Sequence, residues 1–186
     1  MILVIDTSAP SRSVVATIDG DSIREFSAPR LDRELLKDLV RSSTVDKVAV
    51  ATGPGSFTGL RVGVSFGLGL AMGLGIPIVP LPTLDLQAAR SDDPVTAVVD
   101  AGRGRYYFKL PGQEPRLGEP VDIPATYQLA GSAADRRALG AAGHTFKPEG
   151  ELRPLAEAAK ILLGTAREVP YRNLEIEYMQ SFSAKP

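Results

Sequence analysis

Cysteine is absent from this 186-residue chain, and histidine occurs once, as His144. The missing thiols exclude disulfides, thiolate metal sites and cysteine nucleophiles. A single imidazole cannot build a metal centre that needs two or more histidine ligands. A Ser-His-Asp hydrolase would have to use His144, and the G-x-S-x-G elbow that usually accompanies such a site is not in the sequence. The composition therefore predicts a protein without a catalytic metal or a paired nucleophile.

A basic excess is also missing, because 21 Lys and Arg residues stand against 22 Asp and Glu, a net charge of −1. Proteins that bind nucleic acid on their own usually carry a clear positive excess. We therefore expect no strong direct binding of nucleic acid. A role beside a basic partner stays open.

Charged residues are absent from Val62 to Leu81, a run long enough to raise the question of a membrane span. Glycine and proline interrupt it, and the stretch Gly-Ile-Pro-Ile-Val-Pro is typical of a helix that ends near Gly75 and is followed by a strand. This favours a core or interface helix over a membrane span. The first residues carry no basic stretch and soon reach Asp6, so they do not resemble a signal peptide, and we expect a cytoplasmic protein.

The pattern of apolar residues predicts an α/β protein. Strands are expected at 2–6, 13–18, 22–26, 47–51 and 77–81, with helices around Leu35 and Leu39, over 59–74 and over 84–90. In the second half, strands are expected at 95–99, 105–110 and 116–123, a helix at 126–137, a short strand at 138–142 and a helix at 154–163.

The two halves of the chain share one order of elements. Each opens with an apolar strand that ends in an acid, Asp6 or Asp100, and continues through a turn into two further strands. The composition becomes polar around residues 91–94. We therefore predict two related α/β lobes, residues 1–93 and 94–186, although coincidence is the alternative because such strand units are common.

Asp6-Thr7-Ser8 follows a buried strand. An acid with two hydroxyls in a tight turn can hold a hydrated Mg²⁺ and contact phosphate. The alternative is a turn in which the side chains only cap the backbone. Asp100-Ala101-Gly102 poses the same choice.

A glycine-containing loop joins the fourth strand to the apolar helix. Its members Gly53, Gly55, Ser56 and Thr58 lie where backbone amides at a helix start can bind an anion. The spacing matches neither a Walker A motif nor a dinucleotide fingerprint. The glycines could equally serve a close strand-to-helix turn.

Within the helix, Gly59, Gly63 and Gly67 recur every four residues, as do Gly69 and Gly73. Each glycine weakens an isolated helix by about 1 kcal/mol relative to alanine, so a close backbone contact is expected to offset the loss. That contact could be the protein's own sheet or a second chain. We predict a partner surface on this helix and the helix beside it, comprising Leu35, Leu39, Gly59, Gly63, Phe66, Gly67, Leu70 and Met72.

These motifs together resemble the TsaB (YeaZ) family. The resemblance rests on Asp6-Thr7-Ser8, the run from Gly53 to Gly63, Pro82-Thr83-Leu84 and the stretch from Asp100 to Tyr107, in this order. It covers about the first 110 residues well and becomes weaker beyond them.

The resemblance implies an actin- and Hsp70-like (ASKHA) fold of two ribonuclease-H-like lobes, with a second lobe that is compact for the family. It further implies a non-catalytic subunit that pairs with its paralogue TsaD, the enzyme that transfers a threonylcarbamoyl group to the adenosine beside the tRNA anticodon. The ATPase TsaE would join the pair, and the free chain would form a homodimer. Asp6, Thr7 and Ser8 would then be a vestigial phosphate turn.

The same resemblance implies no tightly bound cofactor, with ATP or ADP and Mg²⁺ held weakly or only within the complex. The alternative function is an ATP-hydrolysing or phosphoryl-transferring member of the actin-like superfamily. A peptidase, an older label for relatives, conflicts with the missing histidines.

Overall fold

The computed structural model describes residues 1–42, 44–132 and 136–179. The first part of the chain forms β1 (Ile2–Ala9), β2 (Arg12–Asp19), β3 (Ser22–Ala28), α1 (Arg33–Ser42), β4 (Lys47–Gly53), α2 (Phe57–Leu74), β5 (Ile78–Pro82) and α3 (Thr83–Ala88). The second part forms β6 (Thr96–Gly102), β7 (Arg105–Lys109), β8 (Arg116–Gly118), β9 (Leu129–Ser132), α4 (Arg136–Ala141) and α5 (Leu155–Leu163). Short 3₁₀ turns lie at Pro120–Asp122, Glu149–Glu151 and Tyr171–Asn173.

The two sheets repeat one topology. The first has the strand order β3-β2-β1-β4-β5 and the second β8-β7-β6-β9. In both, the opening strand pairs antiparallel with the strand that follows it and parallel with a later one. In both, the pairing shifts register directly after the acid, between Asp6 and Ala9 and between Asp100 and Gly102. The internal duplication predicted from the sequence is therefore present.

Helices cover both faces of the first sheet. Successive side chains of its strands point to opposite faces, so each strand contributes to both apolar clusters. Leu3 and Ile5 of β1 point into a cluster shared with α1 and α2. Val4, between them, points into the opposite cluster with α3 and α5. Such two-sided burial explains why β1 and β4 are apolar runs rather than alternating strands.

The predicted division at residues 93 and 94 falls in the link between the two sheets. Helix α3 lies between them and packs against β6 of the second sheet as well as β4 and β5 of the first. Helix α5 returns from the second half to the first sheet, where the Ala156 N–H donates to a Glu25 carboxylate oxygen at 2.8 Å. The assignment of whole segments to the two lobes therefore stays a proposal.

One predicted segment of the second half is wrong. The helix expected over 126–137 and the strand expected over 138–142 occur in the opposite order, as β9 followed by α4. Leu129 and Ala130 are fully buried where β9 pairs with β6, so tertiary pairing overrides the local helical pattern. The strand expected at 116–123 is shorter, because a 3₁₀ turn at Pro120–Asp122 ends it.

Candidate functional site

The Asp6-Thr7-Ser8 turn is buried at the end of β1. The Ser8 backbone N–H donates to an Asp6 carboxylate oxygen at 2.8 Å, which closes an Asx turn. The Thr7 hydroxyl donates to the Gly59 carbonyl of α2 at 2.7 Å. Thr7 and Ser8 are at most 3% exposed. The Thr7 hydroxyl, one of the two predicted to contact phosphate, is thus engaged inside the protein.

The glycine loop packs directly on this turn. The Ser56 N–H donates to the Ser8 carbonyl at 2.7 Å, and the Ser56 side chain accepts from the Gly59 N–H, which caps α2. A Cβ on Gly55 would lie 2.6 Å from the Ser8 carbonyl oxygen, and one on Gly59 would overlap the Thr7 carbonyl.

Gly53 has a further internal role, since its N–H donates to the Thr83 hydroxyl at 3.1 Å. Its φ of +115° also favours glycine. These contacts favour the close strand-to-helix turn over the anion site that Gly53, Gly55, Ser56 and Thr58 were predicted to form.

The second acid turn has the same local geometry as the first. The Gly102 N–H donates to an Asp100 carboxylate oxygen at 2.6 Å, as the Ser8 N–H does to Asp6. Asp100 is partly exposed, whereas Asp6 is 4% exposed. The duplication therefore extends to the acids, but their environments differ.

Burial perturbs the ionisation of the Asp6 carboxyl. Burial raises the pKa of its carboxyl above the ordinary value of 3.8, although the hydrogen bonds from Ser8 act in the opposite direction. Its side chain borders a cavity of about 110 Å³ that Gln87 and Arg90 of the α3 region also line. The Gln87 side-chain oxygen is buried and has no hydrogen-bond partner within the described residues.

We expect Asp6→Asn to raise the melting temperature at pH 7. An amide keeps an oxygen for the Ser8 N–H but removes the cost of burying a charge. Because the folded-state pKa is raised, that cost is absent below pH 3.8 and grows until the pH exceeds the folded-state pKa. The gain over the parent should therefore shrink as the pH falls toward 3.8. Thermal unfolding against pH measures it, with Asp100→Asn as the matched control, and an equal gain at every pH would contradict the explanation.

The glycine stripe of α2 faces the protein's own sheet. A Cβ on Gly63 would overlap the Thr7 hydroxyl, and one on Gly67 would overlap the Val50 side chain of β4. Both glycines are buried. The prediction that Gly59, Gly63 and Gly67 form a partner surface is therefore wrong, because these residues let α2 lie close against β1 and β4.

The outward face of α2 presents a second, separate set of residues. Val62 is 47% exposed and Met72 57% exposed. A Cβ on Gly69 or Gly73 would meet no atom within 4 Å. We call Val62, Phe66, Gly69, Met72 and Gly73 the outer face of α2. Of the predicted interface residues, Phe66 and Met72 lie on it.

The remaining predicted interface residues are partly in the core. Leu35, Leu39 and Leu70 are half-buried and pack with the cluster on the α2 side of the first sheet. Leu35 and Leu39 lie on α1, which packs on the same side of the sheet as α2. Their use in an interface stays a prediction.

An aromatic cluster at the start of α2 was missed by the sequence analysis. The Arg61 guanidinium lies 3.7 Å from the centre of the Phe57 ring, and its Nε–H donates to the Tyr178 hydroxyl at 3.1 Å. The Tyr178 ring lies 5.7 Å from the Phe57 ring. Tyr178 belongs to a segment without periodicity, so no local pattern linked it to Arg61, 117 positions earlier.

Among the described residues, no group of three or more His, Asp or Glu side chains is placed to hold a metal ion. His144 is 7% exposed in the second lobe, where its Nε2–H donates to the Pro120 carbonyl at 2.8 Å.

Helix α2 is long and apolar enough to cross a membrane by length and composition alone. Its inner side, however, contacts β1 and β4 extensively, and Leu60, Val64 and Ala71 are buried in the core. We therefore interpret it as a core helix of the first lobe with one open face.

The fold and the paired acid turns define the class of protein. Two sheets of the same ribonuclease-H-like order, linked by helices that cross between them, form an actin-like α/β fold. The solved structure of YeaZ from Pseudomonas aeruginosa has this fold, with a TM-score of 0.72 over 96% of this chain and 99% of that chain at 21% identity.

Sequence comparison narrows the class to a family. The model of the TsaD family, described as tRNA N6-adenosine threonylcarbamoyltransferase, matches residues 27–147. The tRNA threonylcarbamoyladenosine biosynthesis protein TsaB of Bacillus subtilis is 32% identical over 143 residues, which are 69% of this chain and 62% of the relative. The protein of the same name from Haemophilus influenzae is 32% identical over 122 residues, 58% of this chain and 52% of the relative.

The chain belongs to the TsaB (YeaZ) family, and the TsaD model also matches it over residues 27–147. This confirms the family and the fold class predicted from the sequence motifs. The matched residues are 52% to 62% of these two TsaB proteins, so the chain spans little more than half of their length.

Proposed function

We propose that this chain is a non-catalytic subunit of the machinery that makes threonylcarbamoyladenosine in tRNA. In this role it pairs with the catalytic paralogue TsaD, the ATPase TsaE joins the pair, and all three act in the cytoplasm. The free chain forms a homodimer through the same surface. Family membership supports the process, and the outer face of α2 supports the pairing.

The outer face of α2 is the observation that carries the pairing. Val62 and Met72 expose apolar side chains beside the half-buried Phe66. Methionine and aromatic residues are enriched in interfaces, and Gly69 and Gly73 leave room for a second helix to approach. A helix of the partner that lies along this face would cover the exposed side chains.

The rival function, ATP hydrolysis or phosphoryl transfer, has less support from the same region. The Thr7 hydroxyl, the Ser56 N–H and the Gly53 N–H are all engaged in internal hydrogen bonds. Phosphate binding would have to break these bonds or use other donors. We therefore propose no tightly bound cofactor, with ATP, ADP and Mg²⁺ held weakly or only in the complex.

We predict that the isolated chain has no ATPase, peptidase or threonylcarbamoyl-transfer activity. We also predict that it binds tRNA weakly, with a Kd of about 10⁻⁴ M or weaker at physiological salt. The near-neutral charge explains the weak tRNA binding. Nucleotide turnover and filter-binding assays measure both properties. Metal-dependent ATP turnover that is lost in Asp6→Ala would favour the rival function. A micromolar complex with tRNA that is lost on replacing Arg103 and Arg105 would show that local basic residues suffice.

A further inference from the structure

Residues 174–179 form an irregular segment that crosses from the first lobe to the second, which we call the strap. It follows an anchor at Tyr171, whose hydroxyl lies 2.8 Å from the Ile76 carbonyl beyond the end of α2. Before the anchor, the Val169 N–H donates to the Ile78 carbonyl of β5 at 3.1 Å. The strap therefore starts at one end of α2 and reaches the other end at Tyr178 and Arg61.

Each half of the strap contacts a different lobe. Leu174 and Ile176 are half-buried against the α2 side of the first sheet. Met179 packs against a cluster formed by Leu84 of α3 together with residues of β6 and β7. Between these ends, the Glu177 N–H donates to the Thr52 carbonyl of β4 at 2.8 Å. The strap thus bridges the two sheets directly over the glycine loop.

The strap also forms one wall of a cavity of about 250 Å³. The opposite walls are the glycine loop at Gly55 and Ser56 and the second acid turn at Asp100 and Ala101. Glu177 and Tyr178 are the strap residues that line it. The strap therefore borders one side of a space that is partly open to solvent.

Several features indicate that the strap is held less firmly than the core. Glu177 and Tyr178 remain exposed, and the strap forms neither a helix nor a strand. Segments with half-buried side chains and few backbone hydrogen bonds open more readily than core strands. The contacts that hold it are chiefly the Thr52 hydrogen bond, the half-buried apolar side chains and the Tyr178–Arg61 contact.

The Glu177 carboxyl lies in unfavourable surroundings. Although Glu177 as a whole residue is exposed, partial desolvation of its carboxyl and the nearby Asp85 carboxylate of α3 raise its pKa above the ordinary value of 4.5. Lys109 of β7 opposes this effect but is itself bound to Asp85, and Asp100 lines the same cavity. At neutral pH an ionised Glu177 therefore weakens the seating of the strap.

We propose that the strap is a displaceable cover that narrows the opening of the cavity between the glycine loop and the Asp100 turn. It opens locally, without unfolding of either sheet, and so regulates access to this cavity. The natural chain has no cysteine, so a single introduced thiol reports the opening cleanly. Ala101→Cys places that thiol on the cavity wall, and Val121→Cys, at a position 79% exposed, is the reference for the intrinsic reaction rate.

The first arm of the test measures thiol modification of Ala101→Cys relative to Val121→Cys. Adding Tyr178→Ala removes the contacts of the Tyr178 ring with Arg61 and Phe57. Loss of such a contact at an exposed site should make modification about two- to fivefold faster. The melting temperature should stay close to that of Ala101→Cys alone. If the thiol reacts only at the rate of global unfolding, or already at the Val121→Cys rate, with or without Tyr178→Ala, the strap does not control access and the proposal is overturned.

The second arm measures hydrogen-exchange protection of residues 174–179. Glu177→Gln should increase protection at pH 7, and this gain should fade as the pH approaches 4.5. Glu175→Gln, an exposed position on the same segment, is the matched control and should change nothing. Equal behaviour of the two variants would contradict the role of Glu177. Both arms use the isolated chain, so their outcome is independent of pairing with TsaD.

Discussion

Gly67→Leu should destabilise the isolated chain strongly, because Gly67 lies in the core rather than on an interface. Even a Cβ at this position would overlap the Val50 side chain and would lie 3.3 Å from Val48 and 3.8 Å from Ile5. Overpacking a filled core costs about 1–3 kcal/mol and sometimes more. We expect a loss at the upper end of this range, a large share of the roughly 5–15 kcal/mol that stabilises a typical protein.

Gly69→Leu is the matched control on the same helix. Its side chain would enter open space, and the variant gains about 1 kcal/mol of helix propensity relative to glycine. Denaturant unfolding of both variants measures the difference. If Gly67→Leu is as stable as the parent, α2 does not lie against β4 as described. A partner surface at Gly67, which the glycine spacing predicted, would instead have left this variant folded.

Charged substitutions on the outer face of α2 should abolish stable pairing with TsaD. Val62→Glu and Met72→Glu each replace an exposed apolar side chain with a carboxylate. The proposed partner helix would have to cover that charge. Loss of a central interface contact costs about 2 kcal/mol or more, roughly a thirtyfold loss of affinity. Titration of each variant against TsaD measures this loss, and sedimentation measures loss of the homodimer.

Val121→Glu is the matched control for these substitutions. Val121 is also an exposed valine, but it lies on the second lobe, far along the chain from α2. It should leave affinity unchanged, and all three variants should melt close to the parent. Folded Val62→Glu and Met72→Glu proteins that bind TsaD with parental affinity would place the interface elsewhere.

Much of the fold could be predicted from the sequence because the decisive patterns are local. The apolar run of β1 ends at Asp6, and the same arrangement at Asp100 revealed the duplication. The order of β9 and α4 could not be predicted, since residues 126–137 have a helical pattern and only pairing with β6 makes Leu129 and Ala130 a strand.

The site was harder to predict than the fold. A four-residue glycine repeat shows that something lies close to α2, but spacing alone does not say whether it is the sheet or a partner. The structure separates the two stripes, with Gly63 and Gly67 turned inward and Gly69 and Gly73 outward. The strap has no periodic pattern, and its contacts with Thr52 and Arg61 depend entirely on the tertiary fold.

The most direct test of the proposed role is the level of threonylcarbamoyladenosine in tRNA from cells depleted of this chain. Depletion should lower the modified nucleoside, and the parent chain should restore it and co-purify with TsaD. Met72→Glu, folded and expressed at the parental level, should fail on both counts, whereas Val121→Glu should succeed. Full restoration of the nucleoside by a Met72→Glu chain that does not co-purify with TsaD would contradict a function that works through the outer face of α2.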